Sequence, residues 1–277
     1  LVGGRSGNRW NRHRNAVRCC DADSIDFLIA SPRHFSCSEA AKVQPQSDRP
    51  PAHDAFTRLL RRLEPDAQTL WAEARPMVRL RGGLLVIDDT TLDKPHARKI
   101  EPVTRHWSGE HRRGVRGINL ITTAWTDGDR MAPVDDRVYD KADGLTKDDH
   151  LLAMLDAAEA RGFEPSCVAF DSGYAGLADL KAVRAHGWTF LTQLKSNREV
   201  DPDRQGDRPV SEVAIAAEGT VVHLEGFGSI RVFRVVSRDG DTGYRATDDL
   251  AMDELSRLAI AERAWAIENS HRASKQC

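Results

Sequence analysis

The sequence predicts an α/β fold, a mixed sheet with flanking helices and a β-rich insertion, and three observations lead there. β-rich runs recur at Leu84–Ile87, Gly117–Trp125 and Met131–Tyr139, with Asp127-Gly128-Asp129 as a hairpin turn between the last two. Helix and strand patterns then alternate as far as Leu194, and short β-like segments with glycine turns occupy 199–245. The last stretch, Asp248 to Gln276, is helical in composition and free of Gly and Pro. Hairpin-linked strands followed by alternating α and β elements describe a mixed sheet with helices on its faces.

Each element has its own signal. Asp54 to Leu80 reads as two short helices, broken at Pro65 and ended near Pro76. Leu84-Leu85-Val86-Ile87 is a continuous apolar run that stops at Asp88-Asp89-Thr90-Thr91, as a buried strand stops at its edge. A polar, basic stretch with Arg105, Trp107, Arg112 and Arg113 separates it from the next strand. Pro133 interrupts the return strand. Lys147 to Arg161 carries Leu151, Leu152, Leu155 and Ala158 at helical spacing and ends at Gly162. Ser166–Phe170 is a strand ending in Asp171-Ser172-Gly173, Leu177–Ala185 a helix closed by Gly187, and Trp188–Leu194 a further strand. Val221–Leu224 and Ile230–Val236 are the clearest strands of the insertion.

The domain reading follows. Residues 1–50 form a basic arm and linker, 51–80 a helical N-terminal segment, and 81–198 the first part of the core. Residues 199–245 are the insertion and 246–277 a C-terminal helix completing the core. The arm holds Arg5, Arg9, Arg12, Arg14 and Arg18 with no acid among its first twenty residues. It reads either as a flexible basic arm or as sequence ahead of the true start. A start at Leu1 and a stop at Cys277 inside a helical pattern read as a fragment.

Bulk properties bound the function loosely. Hydrophobic residues make up 40% of the 277 and charged residues 30%, a globular balance that argues against wholesale disorder. The net charge of −2 means that a nucleic acid would be held by local basic patches and metal ions. The five cysteines are odd in number and form no CxxC pair, which argues against a zinc ribbon or a disulfide framework and fits a reduced, cytoplasmic setting. No apolar run approaches the ~18 residues of a membrane span. GxSxG, Walker and HExxH motifs are missing, which leaves a small-molecule hydrolase without support.

Three acids stand out. Asp88 and Asp171 each follow an apolar strand, and strands about 4.8 Å apart would let their carboxylates share a divalent ion. Taken singly, each could be turn or cap chemistry. Glu268 has His271, Arg272 and Lys275 at i+3, i+4 and i+7, on its own side of a helix. A Glu–Arg pair at i,i+4 is also an ordinary surface pair. Trp265 and Ile267 bracket this acid with bulky apolar groups, so part of the turn packs against something.

Together these stretches resemble bacterial insertion-sequence transposases of the DDE class. The matching text is Leu85–Thr90, Phe170–Tyr174, Leu191–Asn197, and Trp265–Glu268 with His271-Arg272 and Lys275-Gln276, and the resemblance spans about residues 50–277. It implies an RNase H-like fold with a β-strand insertion before the final acid. It also implies a catalytic, metal-binding triad of Asp88, Asp171 and Glu268 that holds two Mg²⁺ or Mn²⁺ ions. The implied activity is cleavage at transposon ends and strand transfer into target DNA. The implied partners are double-stranded DNA and a second copy of the chain on that DNA, in the nucleoid and with no membrane. Arg105, Trp107, Arg112, Arg113, Arg272 and Lys275 are the expected DNA-binding residues, with Trp107 stacking a base exposed at the end.

Lys275 stands seven residues after Glu268, as the family's Tyr–Arg–Glu–Lys signature requires, whereas its Tyr and Arg positions hold Ala261 and Ala264. The resemblance also implies a closing helix beyond Cys277. Asp88 is preferred to Asp89 as the first ligand, because period-two alternation aims Asp89 at the opposite face. A catalytically dead, DNA-binding remnant and a non-transposing RNase H-like nuclease are the alternative readings.

Overall fold

The computed structural model describes residues 19–31, 35–44, 50–63, 66–108, 113–237 and 239–276. Two compact units arise, the first from Leu1–Pro65 with Gln276–Cys277, the second from Asp66–Lys275. The first contains α1 (Asp21–Ala30), α2 (Cys37–Lys42) and α3 (His53–Arg62) around a small core of Phe27, Ala40, Ala55, Phe56 and Leu59. Residues 21–44 were expected as linker text. They are helical because Ser36 caps α2 on the Glu39 amide and Phe27 has a core to enter. The basic arm falls outside the described residues.

The second unit is a three-layer α/β structure. Its α4 (Ala67–Ala74) runs into a 3₁₀ turn at Arg75–Met77. The strands that follow are β1 (Leu84–Asp93), β2 (Thr104–Ser108), β3 (Arg113–Thr126) and β4 (Met131–Tyr139). Next come α5 (Lys147–Ala160), β5 (Cys167–Phe170), α6 (Leu177–Ala185) and β6 (Phe190–Leu194). The strands β7 (Glu199–Val200) and β8 (Arg208–Pro209) form a small ribbon. Finally β9 (Thr220–Leu224), β10 (Gly228–Val236) and β11 (Thr242–Thr247) precede α7 (Glu254–Ala264) and α8 (Ala266–Gln276).

One nine-stranded sheet runs β2-β3-β1-β5-β6-β11-β10-β9, with β4 on β3. The β1–β5 and β5–β6 pairs are parallel and the others antiparallel. The insertion strands β9–β11 therefore extend the central sheet through the β11–β6 pair. This is the mixed sheet with flanking helices that the element order predicts.

Period two divides the strand residues between two cores. Leu85, Ile87, Val168, Phe170 and Phe190 join Leu151, Leu155 and Leu180 of α5 and α6 on one face. Leu84, Val86, Cys167, Leu191 and Phe233 join Met252 on the other, where α7 packs through Ile260 and Ala264 and α8 through Ile267. Burying Ile267, 3% exposed, contributes about 2 kcal/mol toward holding α8 on the sheet. Among the described residues no helix is long and apolar enough to cross a membrane.

Three expectations are corrected. The first strand does not end at Ile87: β1 continues to Asp93 because β-branched Thr90 and Thr91 keep their pairing with Leu120 and Asn119 of β3. The polar stretch after it is not all loop, for β2 pairs Thr104–Ser108 with Gly117–Arg113. Its alternation is carried by polar residues, His106 and Ser108 inward, Arg105 and Trp107 outward. The C-terminal helix is two helices. At the junction the Glu268 amide bonds the Trp265 carbonyl, a tightened 3₁₀-type step that leaves Trp265 60% exposed while Ile267 turns inward. Pro133 does interrupt its strand, since the β3–β4 register shifts between Thr123 and Ala124, opposite Asp135 and Pro133.

Asp179 in the first turn of α6 is 1% exposed, and burial pushes its carboxyl up to about 6, with the Asp148 charge adding. The folded chain therefore binds this proton more tightly than the unfolded one, so the residue's contribution to stability falls as pH rises from about 4 to about 6. Asp179→Asn should raise stability by ~1 kcal/mol at pH 7, with the gain vanishing below about pH 4. Thermal unfolding of both proteins across this range checks it; an equal gain at every pH would refute the assignment.

Candidate active site

The parallel pair β1–β5 is in register from Leu84↔Cys167 to Ile87↔Phe170, and there β5 leaves the sheet. The next residues on the two strands are Asp88 and Asp171, so register alone brings these two acids side by side. Both follow the parity of Val86 and Cys167 and face the layer of α7 and α8. Asp171 then accepts from the Gly173 amide at 2.8 Å, which starts the 3₁₀ turn Ser172–Tyr174. The third acid comes from α8, which the burial of Ile267 holds against that same face.

Asp88, Asp171 and Glu268 line one cavity of about 1050 Å³. Trp107, Arg272 and Lys275 of the expected DNA-binding set line it as well. Arg105 and Arg113 are exposed on β2 and β3 and do not line it, while Arg112 lies outside the described residues. The wall also includes His106, Tyr139, Lys141, Lys147, Lys195 and His271. Its cations Lys141, Lys147, Lys195, Arg272 and Lys275 thus surround a carboxylate centre. Such an arrangement suits a polyanion with an electrophilic demand at its middle.

Asp88 and Asp89 have different company. Asp89 faces the α5 side, where it takes hydrogen bonds from Lys147 Nζ (2.6 Å), Asn119 Nδ2 (2.7 Å) and Tyr174 Oη (3.3 Å). It ties β1 to β3, to the first turn of α5 and to the turn after Asp171. Asp88 has His271 of α8, with Nδ1 3.4 Å from Oδ2. That imidazole is 3% exposed, and its Nε2 is buried with no hydrogen-bond partner among the described residues. Lys147 also sits 5.8 Å from the Tyr139 ring centroid.

Charge crowding shapes the protonation equilibria. Desolvation pushes the Asp171 carboxyl up, and the charges of Asp88 and Asp89 push it further, against the Gly173 amide. Burial likewise raises Asp136 of β4, opposed by the Thr122 hydroxyl that donates to it at 2.6 Å. Burial depresses His106, with Lys141 and Lys147 adding. The Tyr174 phenol is raised well above its usual range by burial and by Asp89.

Sequence reading missed Lys141, Lys147 and Tyr139 because each reaches the cavity from a different element. Lys147 does have a local signal: it is the first residue of a helix whose start is marked by the Thr146–Asp149 capping box. Asp136 had no sequence signal, since only register sets it across from Thr122, which itself lies across from Asp88.

The sequence model of one family, described as "Transposase DDE domain", matches residues 80–277. Among solved structures, the chain is similar in fold to a piggyBac transposase in its cryo-EM synaptic complex with hairpin DNA. The TM-score is 0.54 at 12% identity, over 94% of this chain and 60% of that one. The chain thus spans less than two thirds of the length of that transposase. No curated protein matches it.

Asp89 should matter to stability and Asp88 much less. Asp89→Ala strands Lys147, Asn119 and Tyr174 and is expected to lower unfolding free energy by ~2 kcal/mol, a figure reduced for the partial exposure of the pair. Asp88→Asn should change it by less than ~1 kcal/mol. Urea denaturation of both variants decides; equal losses would mean that the two acids are not divided in this way.

Proposed function

The chain belongs to the transposase DDE domain family, and from that premise we propose that it catalyses metal-dependent cleavage of DNA at transposon ends and strand transfer into target DNA. One observation carries the reading: Asp88, Asp171 and Glu268, from three separate elements, line one cavity rimmed by lysine and arginine. DNA is the natural occupant of such a cavity, and the piggyBac complex of similar fold was solved with hairpin DNA. The matching motifs also favour an enzyme of the insertion-sequence type.

Transposases of the DDE class generally use divalent metal ions. The donor chemistry fits: Asp88 and Asp171 offer hard carboxylate oxygens at neighbouring strand ends, and Glu268 faces the same space. As the side chains stand, no group of three or more His, Cys, Asp or Glu among the described residues closes on one point. We propose two Mg²⁺ or Mn²⁺ ions held by these three acids. Bound there, they would supply an activated water or 3′-hydroxyl and neutralise charge on the phosphorane.

The remaining steps belong to the chain's own groups. His271 keeps the Asp88 carboxylate turned toward the α8 side. Lys147 fixes Asp89, and through Tyr174 the turn that carries Asp171. Arg272 and Lys275 hold backbone phosphates beside the scissile bond. Trp107, 71% exposed on the cavity wall, offers a face for a base unpaired at the transposon end. Assembly on DNA as a homodimer, in the nucleoid, completes the proposal.

Asp88→Ala, Asp171→Ala and Glu268→Ala should each lower Mg²⁺-dependent cleavage about a hundredfold or more while leaving DNA affinity intact. Cleavage is read on supercoiled plasmid carrying the DNA that flanks the gene. A variant that still cuts removes its residue from the triad, and wild-type binding with no cleavage would favour a DNA-binding remnant. Trp107→Ala should weaken binding to a duplex with an unpaired end base about tenfold. The same loss on a fully paired duplex would argue against stacking.

A further inference from the structure

The row of side chains that holds Asp88 and Asp171 continues beyond the acids. Phe170 pairs with Thr192 and Gln193 pairs with Arg245, so the positions after Asp88 and Asp171 across the sheet are Gln193 on β6 and Arg245 on β11. All four share the face covered by α7 and α8, since Leu191 and Phe233, of the same parity, belong to the core on that side. The Thr192 hydroxyl, donating to the Asp171 carbonyl at 3.1 Å, keeps β6 close to the turn that presents Asp171.

Arg245 is an anomaly in this row. It is only partly exposed, yet its hydrogen bond goes to a neutral group: Nη1 donates to Gln193 Oε1 at 2.8 Å. No carboxylate among the described residues lies within ion-pair distance of it. Its neighbour in charge is Arg257, itself 3% exposed and already spent on Glu254 through bonds of 2.9 and 2.7 Å. The Glu254 carboxylate is thus taken by Arg257, and burial together with the Arg257 charge disfavours the charged form of Arg245, with Asp171 opposing. A half-buried cation held in place by a neutral amide, with donors left over, is what an anion site looks like before the anion arrives. The fork of an arginine suits a phosphodiester better than a point charge would.

We propose that Arg245, oriented by Gln193, is a phosphodiester-binding site that grips the DNA strand a few nucleotides from the scissile bond, on the β11 side of the acids. Two strand spacings put it about 10 Å from Asp171, a step of that size along DNA. The proposal rests on the transposase reading. It gives the strand a second anchor in addition to Arg272 and Lys275.

The test is the salt dependence of binding of the full chain to a fluorescein-labelled mixed-sequence duplex, in EDTA. Arg245→Gln should reduce the slope of log K against log salt by about one. Arg234→Ala removes an exposed cation from the opposite face, one residue from the pairing partner of Arg245, and should leave the slope unchanged. Removing an uncompensated charge should also leave the thermal midpoint of Arg245→Gln no lower than wild type. An unchanged slope in Arg245→Gln overturns the site, whatever its stability. Should that variant fail to fold, Arg245→Lys decides: the slope stays and affinity drops several-fold if the fork binds phosphate, and unchanged affinity overturns it. A wild-type chain with no salt-dependent DNA binding would overturn the transposase reading itself, whereas wild-type binding with an unaltered slope in the variant overturns only this site.

Discussion

Everything at the acid centre depends on the parallel pairing of β1 with β5 and on where that pairing stops. Four residue pairs fix the register, and their side chains are buried on both faces of the sheet. A slip of one residue would send Leu84 and Val86 to the wrong core and turn Asp88 toward α5. The same shift would carry Asp89 into the position facing α8. Hydrophobic sorting between two cores is thus what selects the carboxylate that meets Asp171. The acids contribute nothing to this choice; they are carried to their places by leucine, valine, isoleucine and phenylalanine.

The second constraint is polar. Where β5 departs, β1 loses its parallel neighbour yet stays extended to Asp93, held by β3 alone. Asp89 occupies this exposed seam and gathers Lys147, Asn119 and Tyr174. Three donors on one carboxylate make it a poor candidate for any further ligand, while Asp88 keeps an oxygen available beside His271. Both aspartates line the cavity, but Asp89 is bound to the frame by its three donors while Asp88 has His271 alone among the described residues.

What could be read in the sequence was whatever depends on local pattern. The apolar runs at 84–87 and 167–170, the helix from Lys147 and the glycine stops at Gly162 and Gly187 all reappear. Each of the three acids follows or sits beside such a pattern; the register brings Asp88 and Asp171 together, and α8 brings Glu268 to the same cavity. Long-range partnership was not legible. β2 escaped because its alternation is written in Thr, Arg, His, Trp and Ser, and the break at Trp265 because no glycine or proline marks it. Lys141, Tyr139 and Arg245 reach the site through strand pairing and chain reversal, which no window of neighbouring residues contains.

The third acid obeys a different logic from the first two. Glu268 is exposed at the start of α8, and nothing in the β-sheet register determines its position. Its placement comes from two buried residues of the same helix: Ile267 enters the core beside Val86, and His271 reaches Asp88 one turn later. The tightened step at Trp265 sets the rotation of α8 independently of α7, so a small change there would swing Glu268 relative to the fixed aspartates. Two carboxylates are therefore locked by sheet register and one by a short helix anchored through Ile267. A cation binding among the three would add to the His271–Asp88 contact a second link between α8 and the ends of β1 and β5.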